Sequence, residues 1–132
     1  MKFLVCYDER ERSAAILKEA LAHARVWGAS LEIVKTITRE LPLKHSRILE
    51  MEDELETAVR GQLEGDTPSC NVQLLVTSLE PGEKMVKYAE EENIDLVFVG
   101  IEKKSKVGKL FFGSTAQYLI LHAACPVVAV KV

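Results

Sequence analysis

Apolar runs that alternate with amphipathic helical stretches constrain this chain more than any other feature of its sequence. Two of the runs, DLVFVG at 95–100 and PVVAV at 126–130, are apolar at nearly every position. Such runs are typical of parallel strands whose sheet is covered on both faces. Strands that alternate with helices pair in parallel through right-handed crossovers. The sequence therefore predicts an α/β protein, a three-layer sandwich around a five-stranded parallel sheet.

The elements of this sandwich can be placed along the chain. Strands are predicted at 2–7, 30–37, 71–78, 95–100 and 125–132, with helices at 11–28, 46–65, 81–95 and 113–124. We expect Gly28 to end the first helix and Ser46 to cap the start of the second. Between the fourth strand and the last helix, the sequence predicts a loop with four lysines, at positions 103, 104, 106 and 109.

Length and composition narrow the class further. A chain of 132 residues has the size of one domain, so we expect a single domain over 1–132. The net charge of −3 gives no indication of nucleic-acid binding. The apolar stretch after Lys2 is too short for a signal peptide or a membrane span. The 3 cysteines are widely spaced and form no CxxC pair, which favours a reducing cytoplasm over a metal or redox site.

Two strand ends carry residues that could hold a ligand. In an open parallel sheet, ligands bind beyond the carboxyl ends of the strands, where the strand order reverses. Asp8 follows the first strand and Gly100 ends the fourth. The carboxylate of Asp8 either binds ribose hydroxyls or a divalent ion beside phosphates, or it caps the helix that follows.

The start of the last helix is the other candidate for a ligand site. A glycine at this point, Gly113, lets a ligand approach the backbone, and the free N–H groups and the helix dipole favour an anion. The hydroxyls of Ser114 and Thr115 can add hydrogen bonds, although the same residues also make an ordinary helix cap. The four lysines before them either form a solvated loop or attract phosphate groups.

These residues resemble the universal stress protein family over nearly the whole chain. The opening LVCYDERERSAAILKEALAHARVWGASLEIVKTI is similar to the family's first strand, an aspartate, a serine five residues on, an alanine-rich helix and the second strand. The segments PGEKMVKYAEEENIDLVFVG and GSTAQYLILHAACPVVAVKV are similar to its third helix with fourth strand and to its ending. The resemblance implies the strand order 3-2-1-4-5.

The family's nucleotide motif is present with one departure. Members that bind ATP carry glycine, two residues, glycine, nine residues, glycine and then serine or threonine. Gly100, Gly113 and Ser114 match this pattern, but Lys103 stands at the place of the second glycine. If that position requires a positive φ, a lysine costs about 1–2 kcal/mol there. If φ is negative, the cost vanishes and the lysine could itself contact a phosphate.

The resemblance also implies which residues meet the nucleotide, ATP with Mg²⁺ or Mn²⁺. Cys6 and Asp8 fall where the nucleotide meets the first strand, and Thr36 falls where the second strand touches the adenine. Beside the base and the ribose lie Val99, Gly100 and Ile101, and along the phosphates lie Lys103, Gly113, Ser114 and Thr115. The family forms homodimers through its last strand, here 126–132, and an apolar edge strand is a template for pairing with a second copy.

Two functions follow as expectations. The first is a cytoplasmic stress-response protein that binds ATP. The second, motivated by Lys103, is a dimeric interaction module of the same family that binds no nucleotide. At most we expect a weak ATPase, because Asp8 is the one candidate general base and phosphoryl transfer needs positioned charge and metal.

Overall fold

The computed structural model describes residues 1–39, 42–63, 65, 67–104 and 109–132, so that Lys106 of the predicted lysine loop lies outside the described residues. The strands in these ranges are β1 (Lys2–Cys6), β2 (Ser30–Thr38), β3 (Cys70–Thr77), β4 (Leu96–Lys104), β5 (Lys109–Phe111) and β6 (Val127–Lys131). The helices are α1 (Arg10–Trp27), α2 (His45–Gln62), α3 (Pro81–Glu91) and α4 (Ser114–His122).

Five of the strands form the predicted parallel sheet. Their order is β3-β2-β1-β4-β6, which is 3-2-1-4-5 when only the parallel strands are counted, and this confirms the prediction. The central strand β1 pairs with β2 on one side and with β4 on the other, so the strand order reverses beside β1. A ligand crevice is therefore expected at the carboxyl end of β1.

The sheet is covered on both faces, as its continuous apolar strands predict. On one face, side chains of β1 such as Phe3 and Val5 pack against α1 and α2. On the other face, Leu4 and Cys6 pack against α3 and α4. Because successive side chains of a strand point to opposite faces, an uninterrupted apolar run supplies both cores at once.

The segment after Gly100 differs from the prediction. β4 does not end at this glycine but continues to Lys104, and β5 pairs with it antiparallel, Glu102 opposite Phe111. Part of the predicted lysine loop is therefore a hairpin. Gly100 pairs with Val130 of β6 within the parallel sheet, so this glycine does not turn the chain.

The structure confirms the predicted end of the first helix, but the predicted cap of the second helix is wrong. α1 ends at Gly28, whose φ of +64° lies in the left-handed region that favours glycine. α2 begins at His45 with Lys44 in the N-cap position, so Ser46 lies inside the helix and does not cap it. None of the helices in the described ranges is long and apolar enough to cross a membrane.

Candidate functional site

A crevice of about 430 Å³ opens where the strand order reverses. Its volume lies within the range of small-molecule pockets, roughly 300–1,000 Å³. The carboxyl ends of β1, β2 and β4 and the start of α4 form its walls. Of the residues proposed from the sequence, eight line it: Cys6, Asp8, Thr36, Val99, Gly100, Gly113, Ser114 and Thr115.

The remaining two proposed residues are placed differently. Ile101 is 3% exposed and packs in the core between the sheet and α3 and α4, so it does not line the crevice. Lys103 lies within β4, with its backbone paired opposite Leu110. Among the described residues other than glycine, only Asn93 has a positive φ. The strain that a lysine would suffer in a left-handed conformation therefore does not arise at Lys103.

Asp8 is held in place by a buried serine. Oγ of Ser13 donates to Oδ1 of Asp8 and accepts from the Asp8 backbone N–H, both at 2.9 Å. Ser13 is fully buried and the Asp8 side chain is 52% exposed, so these hydrogen bonds are partly shielded from water. The N-cap position of α1 belongs to Glu9, so the expectation that Asp8 caps this helix is not met. The carboxylate is instead fixed at the wall of the crevice.

The start of α4 presents backbone amides that have no acceptor among the residues that the structure describes. Gly113 is the N-cap residue, with φ −59° and ψ 166°, and no side chain caps the helix. The first intrahelical hydrogen bond runs from the Gln117 N–H to the Gly113 carbonyl, at 3.0 Å. Within the described ranges, the N–H groups of residues 114–116 have no acceptor, and a Cβ at Gly113 would meet nothing within 4 Å. This geometry suits an anion at the helix start.

Two cationic side chains of the crevice were missed from the sequence. Arg12 spans it, with Nη1 3.1 Å from Oε1 of Glu102 and Nη2 3.8 Å from Oδ2 of Asp8, while its buried Nε has no partner in the described part of the chain. Lys35 lines both the crevice and an adjoining cavity of about 320 Å³, and it forms no ion pair with any described residue. The available signals were the four-residue spacing from Asp8 to Arg12 and the position of Lys35 beside Thr36.

Cys6 is a buried thiol at the crevice wall. Burial raises its pKa from 9.0 to about 12, and the nearby carboxylate of Asp8 and the thiol of Cys125 add to the shift. The thiolate is the reactive form of cysteine, so this thiol is inert near neutral pH. In the part of the chain that the structure describes, no group of three or more His, Cys, Asp or Glu side chains could hold a metal ion.

The raised pKa of Cys6 predicts a loss of stability at high pH. The unfolded thiol ionises from about pH 9, whereas the folded thiol keeps its proton to about pH 12. The stability is complete below pH 9 and is lost as the pH rises toward 12, by at most about 1.4 kcal/mol per pH unit. Urea denaturation between about pH 8 and pH 11 should show a steeper loss for the wild type than for Cys6→Ala. Equal slopes for the two proteins would contradict the shift.

This sheet order, with a crevice at its reversal point and an uncapped helix start beside it, defines a class of α/β proteins suited to phosphate-bearing ligands. The model of the universal stress protein family matches residues 1–131, so the chain belongs to that family. A universal stress protein of Thermus aquaticus is 30% identical over 128 residues, which cover 94% of this chain and 91% of the relative.

Solved structures agree with this assignment. A universal stress protein of Archaeoglobus fulgidus superimposes with a TM-score of 0.80 at 30% identity, covering 99% of this chain and 98% of the other. The universal stress protein from Archaeoglobus fulgidus in complex with dAMP superimposes with a TM-score of 0.75 at 26% identity, with the same coverage. This chain is therefore similar to a family member that binds an adenine nucleotide.

Proposed function

We propose that this protein binds an adenine nucleotide, ATP, in the crevice, as a cytoplasmic binding protein of the stress response. The observation that carries the proposal is the uncapped start of α4, whose free amides face the same crevice as the fixed carboxylate of Asp8. The likeness to a family member in complex with dAMP supports the adenine nucleotide as the ligand.

The lining residues divide into three groups under this proposal. The amides of residues 114–116 and the hydroxyls of Ser114 and Thr115 would bind phosphate oxygens. Asp8 would accept hydrogen bonds from ribose hydroxyls, and the apolar wall around Val99 would contact the base, with Thr36 beside it. A Mg²⁺ or Mn²⁺ ion would be held by the nucleotide's own phosphates, with Asp8 as the nearest carboxylate.

Two cations of the crevice also fit a phosphate-bearing ligand, Arg12 and Lys35, whose charge is balanced in the free protein by the carboxylates of Asp8 and Glu9. Lys35 has no carboxylate partner among the described residues, and Arg12 could exchange its exposed pair with Glu102 for a phosphate oxygen. Both cations line the crevice together with the start of α4, so each could reach a phosphate oxygen bound there. The backbone of Lys103 carries no strain that would oppose a nucleotide.

Calorimetric titration with ATP and Mg²⁺ tests the proposal. We expect saturable binding, and at about 100 times the dissociation constant the nucleotide should stabilise the fold by about 2.7 kcal/mol. Adenosine, which lacks phosphates, is the control and should bind far more weakly because it leaves the amides of α4 unused. If about 1 mM nucleotide produces no binding heat and no thermal shift, the proposal is wrong.

A dimeric interaction module without nucleotide is the second candidate. It is favoured by β6, which in the described chain pairs only with β4 and so leaves its outer edge open. Beside this edge, Ile120 and Leu121 of α4 are 48% and 75% exposed, and strand 126–132 could pair with a second copy. Sedimentation equilibrium would find twice the mass of 14.7 kDa for such a homodimer. That mass combined with an absence of ATP binding would select this candidate over the first.

A further inference from the structure

A groove at the far edge of the sheet is separate from the nucleotide crevice. It encloses about 510 Å³ between α2 and the edge strand β3. Leu49, Leu55, Val72 and Leu74 supply its apolar surface. Its acidic side chains are Glu52, Asp53 and Glu56, which share one stripe of α2 with Leu49 at the spacing i, i+3, i+4 and i+7. We call the space lined by these residues the acidic groove.

The floor of the acidic groove includes an open strand edge. In the described ranges β3 pairs only with β2, and the carbonyls of Ser69 and Thr77 point toward that partner. Backbone groups alternate in direction along a strand, so those of Val72 and Leu74 point away from β2. No described residue hydrogen-bonds to these outward N–H and C=O groups. Unpaired groups of this kind are a template for another strand.

The charge beside this edge is not neutralised. Glu56 forms an ion pair with Arg60 at 2.6 Å. Arg60 in turn donates to the Cys70 carbonyl at 3.1 Å, so the first residue of β3 already has a partner at its outer edge. Glu52 and Asp53 form neither an ion pair nor a hydrogen bond with any residue that the structure describes. Two uncompensated carboxylates therefore lie over the open backbone of β3.

We propose that the acidic groove binds an extended segment of a partner protein that carries alternating lysine or arginine residues and adds a strand to β3. The backbone of such a segment would pair with Val72 and Leu74, and every second side chain would face α2. Basic side chains at those positions would meet Glu52 and Asp53. A second copy of β3 is a poorer occupant, because it would bring the same carboxylates against each other.

The probe is a labelled peptide of alternating lysine and valine, and the same peptide with glutamate for lysine is its control. Added to the full chain at about 50 mM salt, where charges are weakly screened, the lysine peptide should bind and the glutamate peptide should not. Amide hydrogen exchange read by NMR should slow at Val72 and Leu74 by at least about 10-fold, since both N–H groups gain acceptors.

A matched pair of charge variants locates the binding. Glu52→Gln with Asp53→Asn removes two carboxylates from the acidic groove, and Glu90→Gln with Glu91→Gln removes two from the exposed surface of α3. We expect the first pair to weaken peptide binding by about 3- to 10-fold and the second to leave it unchanged.

Three results would overturn the proposal. The first is no binding of the lysine peptide at about 1 mM, which would leave the carboxylates as a device that keeps the edge unpaired. The second is equal weakening by both pairs of variants, which would mean attraction to overall charge alone. The third is slow exchange at Val72 and Leu74 without peptide in a protein of doubled mass, which would make a second copy the occupant.

Discussion

Replacing Gly113 with aspartate is expected to weaken nucleotide binding strongly without weakening the fold. The change places a carboxylate at the start of α4, where the free amides of residues 114–116 would bind phosphates. Two negative charges at about 4 Å repel each other by several kcal/mol near a protein surface. We expect ATP affinity to fall by at least about 30-fold, which corresponds to about 2 kcal/mol. Isothermal titration calorimetry measures this loss.

The backbone at Gly113 makes this variant informative. Its φ of −59° is available to any residue, and a Cβ there meets nothing within 4 Å. Aspartate and asparagine are both better N-cap residues than glycine, so helix α4 should gain a few tenths of a kcal/mol or stay unchanged.

Gly113→Asn is the matched control, since it has the same shape and the same capping ability without the charge. It should retain more affinity than Gly113→Asp. Equal affinities for ATP in the two variants, with unchanged thermal unfolding, would show that no phosphate lies at the start of α4.

The parallel sheet could be predicted from local signals, whereas its strand order and the full set of eight crevice residues were implied by the resemblance to the family. Apolar runs determine which segments are buried strands, and the family's spacing places Asp8, Gly100 and Gly113 at neighbouring strand ends. The carboxyl ends of parallel strands meet at one edge of the sheet, so these residues had to come together. Cys6 and Thr36 carry no such signal of their own, and only the resemblance to the family implied them.

The continuation of β4 past Gly100 was not predicted, because the sequence shows the glycine but not the strands that pair around it. A glycine after an apolar run is an ordinary turn signal. In the structure Gly100 lies inside β4, where pairing with Val130 on β6 and the pairing of Glu102 with Phe111 on β5 keep the chain extended. The same limit applies to Arg12 and Lys35, whose relation to the crevice depends on how α1 and β2 pack around β1.

The segment's extended backbone changes the meaning of Lys103. In the family pattern, a lysine at the second glycine suggests lost phosphate binding. In this chain Lys103 lies in a β-strand, whose extended backbone any residue can adopt. The lysine therefore adds no backbone strain at this position. The backbone argument against nucleotide binding therefore fails. The affinity for a nucleotide then depends on the charged side chains of the crevice, among them Arg12 and Lys35.

Gly82→Ala is expected to destabilise the protein by about 1–3 kcal/mol, the usual effect of inserting a methyl group into a packed interior. A Cβ at Gly82 would lie 2.7 Å from the Cβ of Tyr118, which is tied to the backbone of α4 and cannot rotate away. Gly61→Ala is the matched control on α2: nothing lies within 4 Å, and removal of an exposed helical glycine should stabilise by about 0.4–1 kcal/mol. Urea denaturation of both variants gives the two values.

The same contact couples packing to the site, which extends the prediction to binding. Gly82 lets α3 and α4 approach closely, and both helices contribute crevice residues, Pro81 from one and Ser114 from the other. A methyl group between the helices must displace the start of α4, so Gly82→Ala should weaken ATP binding as well as stability, while Gly61→Ala leaves binding unchanged. If Gly82→Ala lowers stability but binds ATP like the wild type, the position of α4 does not determine the phosphate contacts. If it lowers neither, the two helices are not packed as closely as the distance to Tyr118 requires.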